Sequence, residues 1–259
     1  MKVLVIGDIV GRMGREKVKE LLPKIKKENN IDLVIANVEN ASGGMGLTIH
    51  GYNDLYMIGI DVMTMGNHTW AKREIFTIFE EKDNIIRPAN YSNNVPGVGY
   101  LVTNVKGKNV LVINLLGRVD ININSDCPFT TAERIIEKVK SKQKIDIVII
   151  DFHAEATAEK IAMAYYLKDK ATIVFGTHTH VQTSDERIFD TGMGYITDIG
   201  MTGPIDSVLG MKVEVALKRF LTQIPERYSV AEGKAKFSGA IFDINDNTNK
   251  VVDIKRLYM

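Results

Sequence analysis

Several features that would assign a chain to a special class are scarce or missing from this 259-residue sequence. Cys127 is the only cysteine, so no intramolecular disulfide can form. The 33 basic and 32 acidic residues leave a net charge of +1, which gives no basis for non-specific binding to nucleic acid or anionic lipid. No apolar run approaches the roughly 18 residues of a membrane span, and the first run ends at Asp8, too early for a signal peptide. These absences predict a soluble cytoplasmic protein without membrane association.

Proline is also scarce, with six residues, and no stretch rich in Pro, Gly or Ser interrupts the chain. Such stretches are typical of linkers between domains, and their absence predicts one domain over residues 1–259. Hydrophobic residues make up 45% of the chain, and a domain of this length can bury a core that needs neither disulfides nor structural zinc.

What the sequence does contain is an alternation of short β-branched runs with amphipathic helical patterns, interrupted by hairpin signals such as Lys106-Gly107-Lys108. Buried parallel strands alternating with helices, together with antiparallel hairpins, predict an α/β fold with two facing sheets and helices outside. The predicted strands are residues 3–6, 32–38, 61–65, 99–105, 109–115, 145–150, 172–175, 195–197, 236–244 and 251–257, and the predicted helices are residues 15–27, 72–81, 157–167 and 213–221.

Residues capable of binding metal fall at the ends of five of these strands. Ligands gather at the carboxyl ends of parallel strands, so we expect these side chains to converge at one rim. His178 and His180 are alternate residues of an extended segment, which lets both rings face one site. Four of the five histidines lie at such ends. The strand-end residues are Asp8, Glu39, Asn40, Asn67, His68, His153, His178 and His180.

Each of these residues also has an ordinary structural interpretation. Asp8 could cap a helix, and the Asn67-His68 pair could belong to a turn. Gly7, Gly11 and Gly14 suggest a dinucleotide-binding loop, but their spacing is not G-x-G-x-x-G, so a nicotinamide-dependent dehydrogenase is disfavoured. Independent structural roles for so many strand-end residues are hard to reconcile with their common placement, and a shared site is the better hypothesis.

The motifs resemble those of the calcineurin-like metallophosphoesterase superfamily, and within it the bacterial 2′,3′-cyclic nucleotide 2′-phosphodiesterases. The resemblance covers nearly the whole chain and implies a four-layer α-β-β-α sandwich of two mixed sheets with flanking helices. The segments that carry it are Gly7-Asp8-Ile9-Val10-Gly11, Asn37-Val38-Glu39-Asn40-Ala41, Gly66-Asn67-His68-Thr69-Trp70, Asn114-Leu115-Leu116-Gly117-Arg118, Asp151-Phe152-His153-Ala154-Glu155, Gly176-Thr177-His178-Thr179-His180 and Asp198-Ile199-Gly200-Met201-Thr202.

The sequence departs from the broader superfamily at two ligand positions. Most members have Asp-x-His on the first strand, whereas this chain has Val10 in place of the histidine. Glu39 stands where the bridging aspartate is usual, and the adjacent Asn40 can supply an amide oxygen to the metal that lacks its histidine. Both substitutions match the cyclic-nucleotide branch.

The resemblance implies two metal ions that share Glu39 and a metal-bridging hydroxide that attacks the phosphorus. His68 would be the general acid and not a ligand. Carboxylate, amide and imidazole ligands without a thiolate favour iron and/or manganese. The implied ligands are Asp8, Glu39, Asn40 and His180 for one ion, and Glu39, Asn67, His153 and His178 for the other.

The implied reaction is hydrolysis of a small phosphodiester, most closely a 2′,3′-cyclic nucleotide opened to the 3′-nucleotide. A general phosphomonoesterase or nuclease on the same metal pair stays open, although the balanced charge gives no indication of a specific nucleic-acid partner. A regulatory protein that binds nucleotide or metal also stays open. The number of subunits is not fixed by the sequence, and a homo-oligomer is compatible with it.

Some neighbouring residues have open roles. Glu155 could orient a ligand or cap the following helix. Arg12 could contact phosphate or lie at the surface, and His50 has no placed partner. The loop of residues 42–46 directly follows Glu39 and Asn40, and could close over substrate.

Overall fold

The computed structural model describes residues 1–259 and contains fifteen strands and six helices. In chain order the elements are β1 Lys2–Ile6, β2 Asp8–Ile9, α1 Gly11–Asn29, β3 Leu33–Asn37, α2 Ile49–Ile58, β4 Val62–Thr64, α3 Glu74–Glu81, β5 Ile85–Ile86, β6 Tyr100–Val105, β7 Lys108–Leu116, α4 Pro128–Lys140, β8 Ile147–His153, α5 Thr157–Leu167, β9 Ile173–Thr177, β10 Arg187–Ile188, β11 Gly194–Ile196, β12 Met201–Pro204, α6 Val213–Thr222, β13 Ala235–Lys236, β14 Ser238–Ile244 and β15 Val251–Tyr258.

Two six-stranded mixed sheets form the centre of the molecule. The strand order is β15-β14-β1-β3-β4-β5 in the first sheet and β10-β11-β9-β8-β7-β6 in the second, and β13-β12-β2 make a small third sheet. Strands β1, β3, β4 and β5 run parallel, as do β7, β8, β9 and β11, while antiparallel strands lie at the edges. The parallel strands of each sheet therefore place their carboxyl ends at a common rim.

Alternation of side chains along the strands creates four layers. In β1, Leu4 packs with the apolar face of helices α1 to α3, whereas Val5 packs between the two sheets. On the second sheet, Leu111 contacts the helical layer formed by α4 and α5, and Val112 faces the first sheet. The predicted four-layer α-β-β-α sandwich is confirmed.

Two helices were not predicted, although their sequences carry the signals. The hydroxyl of Thr48 accepts a hydrogen bond from the backbone N–H of Gly51 and caps α2, which ends at Gly59 in the left-handed conformation. Helix α4 has Pro128 in its first turn and a buried stripe that includes Ile135. Short helices of this kind are marginal by propensity, and packing on the sheets stabilises them.

Helix α1 begins at Gly11, four residues before the predicted start. Gly14 lies in its first turns against the carbonyl of Thr202, and a Cβ there would come within 2.4 Å of that oxygen. The predicted hairpin is confirmed: Lys106 and Gly107 both have positive φ, as a two-residue type I′ turn requires. None of the helices combines the length and the apolar character that crossing a bilayer would require.

Candidate active site

The residues predicted as ligands meet where the carboxyl ends of β3, β4, β8 and β9 converge, beside the short strand β2. His153, the last residue of β8, is fully buried, and three acceptor atoms surround its Nε2. Asn67 Oδ1 lies at 2.8 Å, His178 Nδ1 at 3.0 Å and Glu39 Oε1 at 3.1 Å. A ring nitrogen carries at most one proton and cannot satisfy three acceptors. Neighbouring ligands of an octahedral ion with bonds of about 2.1 Å lie about 3 Å apart, so these four atoms fit a shared cation.

Hydrogen bonding on the far side of His153 fixes its tautomer. The Thr177 hydroxyl donates to Asp151 Oδ1 at 2.7 Å and therefore accepts from His153 Nδ1 at 2.9 Å. Asp151 also accepts from Thr64 Oγ1 at 2.5 Å. The proton of neutral His153 is thus on Nδ1, which leaves the lone pair of Nε2 directed at the cluster. Such outer partners orient the histidines of metal sites.

The other two predicted histidine ligands have the same arrangement. His178 Nε2 lies 3.1 Å from Glu155 Oε2, and its Nδ1 faces His153. His180 Nδ1 donates to the backbone carbonyl of Leu209 at 3.0 Å, and its Nε2 lies 3.7 Å from Asp8 Oδ1. In each ring one nitrogen contacts an acceptor that is not a predicted ligand, and the other faces a predicted ligand.

His68 has the reverse arrangement. Asn40 Nδ2 donates to the carbonyl of Gly44 at 3.0 Å, which identifies this atom as the amide nitrogen. The same nitrogen lies 3.0 Å from His68 Nδ1, so Nδ1 accepts and the proton of the neutral ring is on Nε2. His68 also lines the cavity described below, and its Nε2 makes no hydrogen bond within the protein.

Two buried oxygen atoms of the site have no hydrogen-bond partner, namely Asp8 Oδ1 and Asn40 Oδ1. Leaving a buried polar group unpaired costs about 1–3 kcal/mol, so such atoms need another explanation. The second oxygen of Asp8 accepts from the backbone N–H of His178 at 3.2 Å, which fixes the carboxylate. Both free oxygens suit a divalent cation, and the residues present therefore fit metal binding.

The electrostatics of the cluster favour a positive charge. Burial opposes ionisation of Glu39, but His153 and His68 outweigh this effect and lower the pKa of Glu39 to about 2. Burial also opposes protonation of His153, yet Glu39 and Asp8 outweigh it and raise the His153 pKa to about 9. Without a cation this ring therefore carries the positive charge itself, and binding of a metal ion would release the proton on Nε2. Burial, followed by His153, lowers the pKa of His178 to about 3, so this ring is neutral at physiological pH. A neutral imidazole is the form that binds metal.

The turn that carries the two outer histidines is strained and held by a buried ion pair. His178 has φ of +102° and His180 has φ of +65°, both unusual for side chains with a Cβ. Asp198 accepts from the N–H of Thr179 between them at 3.1 Å, and Lys160 Nζ lies 2.7 Å from the same carboxylate oxygen. Lys160 and Asp198 are each 1% exposed. Lys160 was missed from the sequence, although a lysine in the apolar stripe of α5 was the available signal.

Residue 66 must be a glycine, because the neighbouring His153 and Glu39 leave no room for a side chain. A Cβ at this position would lie 2.4 Å from the His153 ring and 2.5 Å from Glu39 Oε2. Any larger residue would displace a predicted ligand. The backbone carbonyl of Gly66 accepts from the Tyr91 hydroxyl at 3.1 Å, which fixes the loop from below.

A cavity of about 620 Å³ opens above the cluster. Its charged floor includes Glu39, Asn40, His68, His178 and His180. Residues 208–228 form its opposite wall, which is largely apolar. This size is within the usual range for small-molecule sites. Gly44 also lines the cavity, so one residue of the loop 42–46 reaches it.

The structure brings together all eight strand-end residues predicted from the sequence. The capping interpretation of Asp8 is wrong, because Val10 occupies the N-cap of α1. The capping interpretation of Glu155 is also wrong, since Ala156 is the N-cap of α5 and Glu155 contacts His178. Arg12 pairs with Glu16 on the surface, and His50 pairs with Asp54 outside the site.

Known proteins are similar to this chain over almost its full length. A 2′,3′-cyclic-nucleotide 2′-phosphodiesterase of Bacillus subtilis is 47% identical over 257 residues, which cover 99% of this chain and 96% of the relative. The crystal structure of a novel phosphatase from Mycoplasma pneumoniae is 34% identical, with a TM-score of 0.94 over 100% of this chain and 93% of that one. A hypothetical protein from Thermus thermophilus is 38% identical, with a TM-score of 0.93, and covers 100% of this chain and 99% of its own.

The names of these relatives agree with the site geometry in indicating an enzyme, and the chain is a phosphoesterase. The family described as YmdB-like protein matches residues 4–257, nearly the whole sequence. Together with the 47% identity, this match shows that the chain belongs to the YmdB-like family.

Proposed function

We propose that the protein is a phosphodiesterase with two metal ions that hydrolyses small phosphodiesters, most closely 2′,3′-cyclic nucleotides to 3′-nucleotides. One observation carries the proposal. Three histidines turn a lone pair toward a buried group of carboxylate and amide oxygens, while a fourth, His68, carries its proton on Nε2 in a ring that lines the same cavity. The first set is suited to holding cations, and the fourth residue is suited to delivering a proton.

We divide the carboxylate and amide oxygens and the histidine nitrogens that face the cluster into two ligand sets that share Glu39. Divalent ions in these positions would activate water as a nucleophile and neutralise the charge that develops on the phosphoryl oxygens. Oxygen and imidazole donors without thiolate support iron and/or manganese. The proposed sets are Asp8, Glu39, Asn40 and His180, and Glu39, Asn67, His153 and His178.

His68 would act as the general acid. During hydrolysis of the cyclic diester, the oxygen of water bonds to phosphorus and the bond between phosphorus and O2′ breaks. A neutral ring that gave up its only proton would become imidazolate, so His68 would enter this step as imidazolium. It would pass the proton on Nε2 to O2′ as that bond breaks, which leaves a neutral ring, a free 2′-hydroxyl and a 3′-phosphate, while the proton lost by the attacking water goes to solvent. Glu39 Oε1 lies 3.5 Å from His68 Nδ1 and would stabilise the imidazolium. A positioned acid of this kind contributes about 10²–10⁴-fold to the rate.

The substrate class rests on the activity for which the Bacillus subtilis relative is named. The Mycoplasma pneumoniae structure, described as a phosphatase, favours a second candidate, hydrolysis of phosphomonoesters on the same site. The two candidates differ in whether a 3′-nucleotide is the end product or is itself dephosphorylated.

The test uses purified protein loaded with manganese or iron, with 2′,3′-cyclic AMP and adenosine 3′-phosphate as separate substrates. We expect 2′,3′-cyclic AMP to yield adenosine 3′-phosphate and little free phosphate. Release of phosphate from both compounds would favour the phosphatase, and no turnover of either would contradict the proposal.

The His68→Ala variant tests the role of the acid. We expect it to keep the metal content of the wild type, measured by mass spectrometry, and to lose about 10²–10⁴-fold in kcat. His50→Ala is the matched control, because this exposed histidine pairs only with Asp54 outside the site and should leave both values unchanged. Loss of metal in His68→Ala would show that His68 is a ligand.

A further inference from the structure

The proposed hydrolysis uses only the polar residues on the floor of the cavity and assigns no role to its apolar wall. Segment 205–234, which we call the wall segment, leaves the third sheet after β12 and returns to it at β13. Helix α6 lies within it, and Ala216 is the only buried residue of that helix. The other apolar side chains of α6 therefore face the cavity or solvent and contribute little to the core.

The part of the wall segment that lines the cavity is rich in aromatic and aliphatic groups. Phe220 is 77% exposed and Ile224 is 57% exposed, both unusual for side chains of this size. Tyr228 is half-buried. The remaining cavity-lining residues of the segment are Val208, Leu209, Met211, Ala216, Arg219, Gln223 and Pro225.

The wall is attached to the catalytic floor at two points. Leu209 supplies the carbonyl that accepts from His180 Nδ1 at 3.0 Å. The Tyr228 ring packs on Gly44, where an added Cβ would lie 2.2 Å from it, and the Gly44 carbonyl holds Asn40. Within the segment, Lys218 Nζ pairs with Glu226 Oε1 at 2.5 Å, which ties α6 to the chain that follows it. The wall thus has a defined position relative to the proposed metal ligands.

A phosphodiester group by itself would occupy only the polar floor. The apolar wall requires a substituent with a hydrophobic face, and a cavity of about 620 Å³ has room for a nucleotide. Arg219 adds a guanidinium that makes no salt bridge or side-chain hydrogen bond in the structure, and such a group can stack on a flat π-system. Aromatic side chains near a phosphate site are typical supports for bases, because every base has a π-face.

We propose that the wall segment binds the nucleobase of the substrate, with Phe220 as the principal stacking residue, and so determines specificity for nucleotides over other small phosphodiesters. This inference rests on the proposed function for its substrate class. Every nucleobase can stack on an aromatic ring, so we expect the site to select compounds that carry a base over compounds that lack one. Its preference among the different bases should be weaker.

The test measures binding directly, which separates it from turnover. Isothermal titration of metal-loaded protein compares adenosine 3′-phosphate with inorganic phosphate, for wild type, Phe220→Ala, Phe220→Tyr and Leu221→Ala. Leu221 is the matched control, since it adjoins Phe220 in α6, is 81% exposed and does not line the cavity. Loss of one base–aromatic contact corresponds to about tenfold in affinity or more.

We expect wild type to bind adenosine 3′-phosphate at least about tenfold more tightly than phosphate. Phe220→Ala should lose about tenfold for the nucleotide alone, while Phe220→Tyr and Leu221→Ala retain wild-type affinity. Equal binding of the two ligands by wild type, or an equal loss for both in Phe220→Ala, would overturn the base-binding role. Tight nucleotide binding without hydrolysis of any diester would contradict the proposed function and leave the base site standing.

Discussion

The floor and the wall of the cavity are built in opposite ways. The floor draws residues from separate strands, and its histidines are held by partners far along the chain, such as His153 by Thr177 and His180 by Leu209. The wall comes from one continuous segment, and several of its large apolar side chains, such as Phe220 and Ile224, are exposed. If the wall binds the base as proposed, a separately built wall would allow substrate preference to change without disturbing the chemistry of the floor.

This comparison predicts that substitutions of the proposed ligands in the floor change metal content, whereas substitutions of the base-facing side chains in the wall change only the affinity for nucleotides. The largest effect is expected for Glu39→Gln, because Glu39 belongs to both proposed ligand sets and contacts His153 and His68. Loss of a shared carboxylate should remove several kcal/mol of transition-state stabilisation, or about 10³-fold or more in kcat/KM. Metal analysis and kinetics check this outcome, with the exposed Glu16→Gln as control. Full metal content in Glu39→Gln would contradict the shared-ligand role.

Breaking the buried ion pair should affect folding and metal binding together. Lys160→Met leaves the Asp198 carboxylate buried without its partner and should destabilise the protein by about 3–5 kcal/mol. Denaturant unfolding and metal titration measure the two effects.

The double variant Lys160→Met with Asp198→Asn separates them, because it removes both charges. We expect it to regain much of the stability but to keep a weakened metal affinity, since the Thr179 N–H loses its charged acceptor. Wild-type metal affinity in the double variant would show that the pair serves folding alone.

A smaller effect on metal affinity is expected for Thr177, which is not a ligand but forms a hydrogen bond with the proposed ligand His153. Thr177→Val removes the hydroxyl that joins Asp151 to His153 and should weaken metal binding by about 10–100-fold. Thr172→Val is the control, because its buried hydroxyl accepts from the N–H of Val148 away from the site. Equal metal affinities in the two variants would contradict a role for Thr177 in orienting His153.

Helices α2 and α4 were not predicted, although local signals mark their ends. Thr48 and Gly59 mark the ends of α2 and could have been recognised as caps. The start of α1 at Gly11 was less accessible, because the close approach of Gly14 to Thr202 depends on a strand that lies far along the chain. The presence of a helix can thus be predicted from local signals, whereas its first residue can depend on contacts with distant parts of the chain.

The site shows the same division. Residue types and their positions after β-branched runs were sufficient to predict that Asp8, Glu39, His153 and their partners meet. The role of Glu155 could not be decided in this way, because capping and contact with His178 are both compatible with its position in the sequence.

The sequence by itself determined the longer strands, the chemistry of the side chains at their ends and the family of the chain, because these depend on local pattern and residue type. It did not indicate the short strands β2, β5, β10 and β12. Only the tertiary structure decided which nitrogen of each histidine faces the site. That choice depends on hydrogen-bond partners such as Thr177 and Leu209, which lie 24 and 29 residues away along the chain. It also decided that the wall segment stands over the site, since this placement follows from strand pairing in the third sheet and leaves no local signal in the residues of the wall.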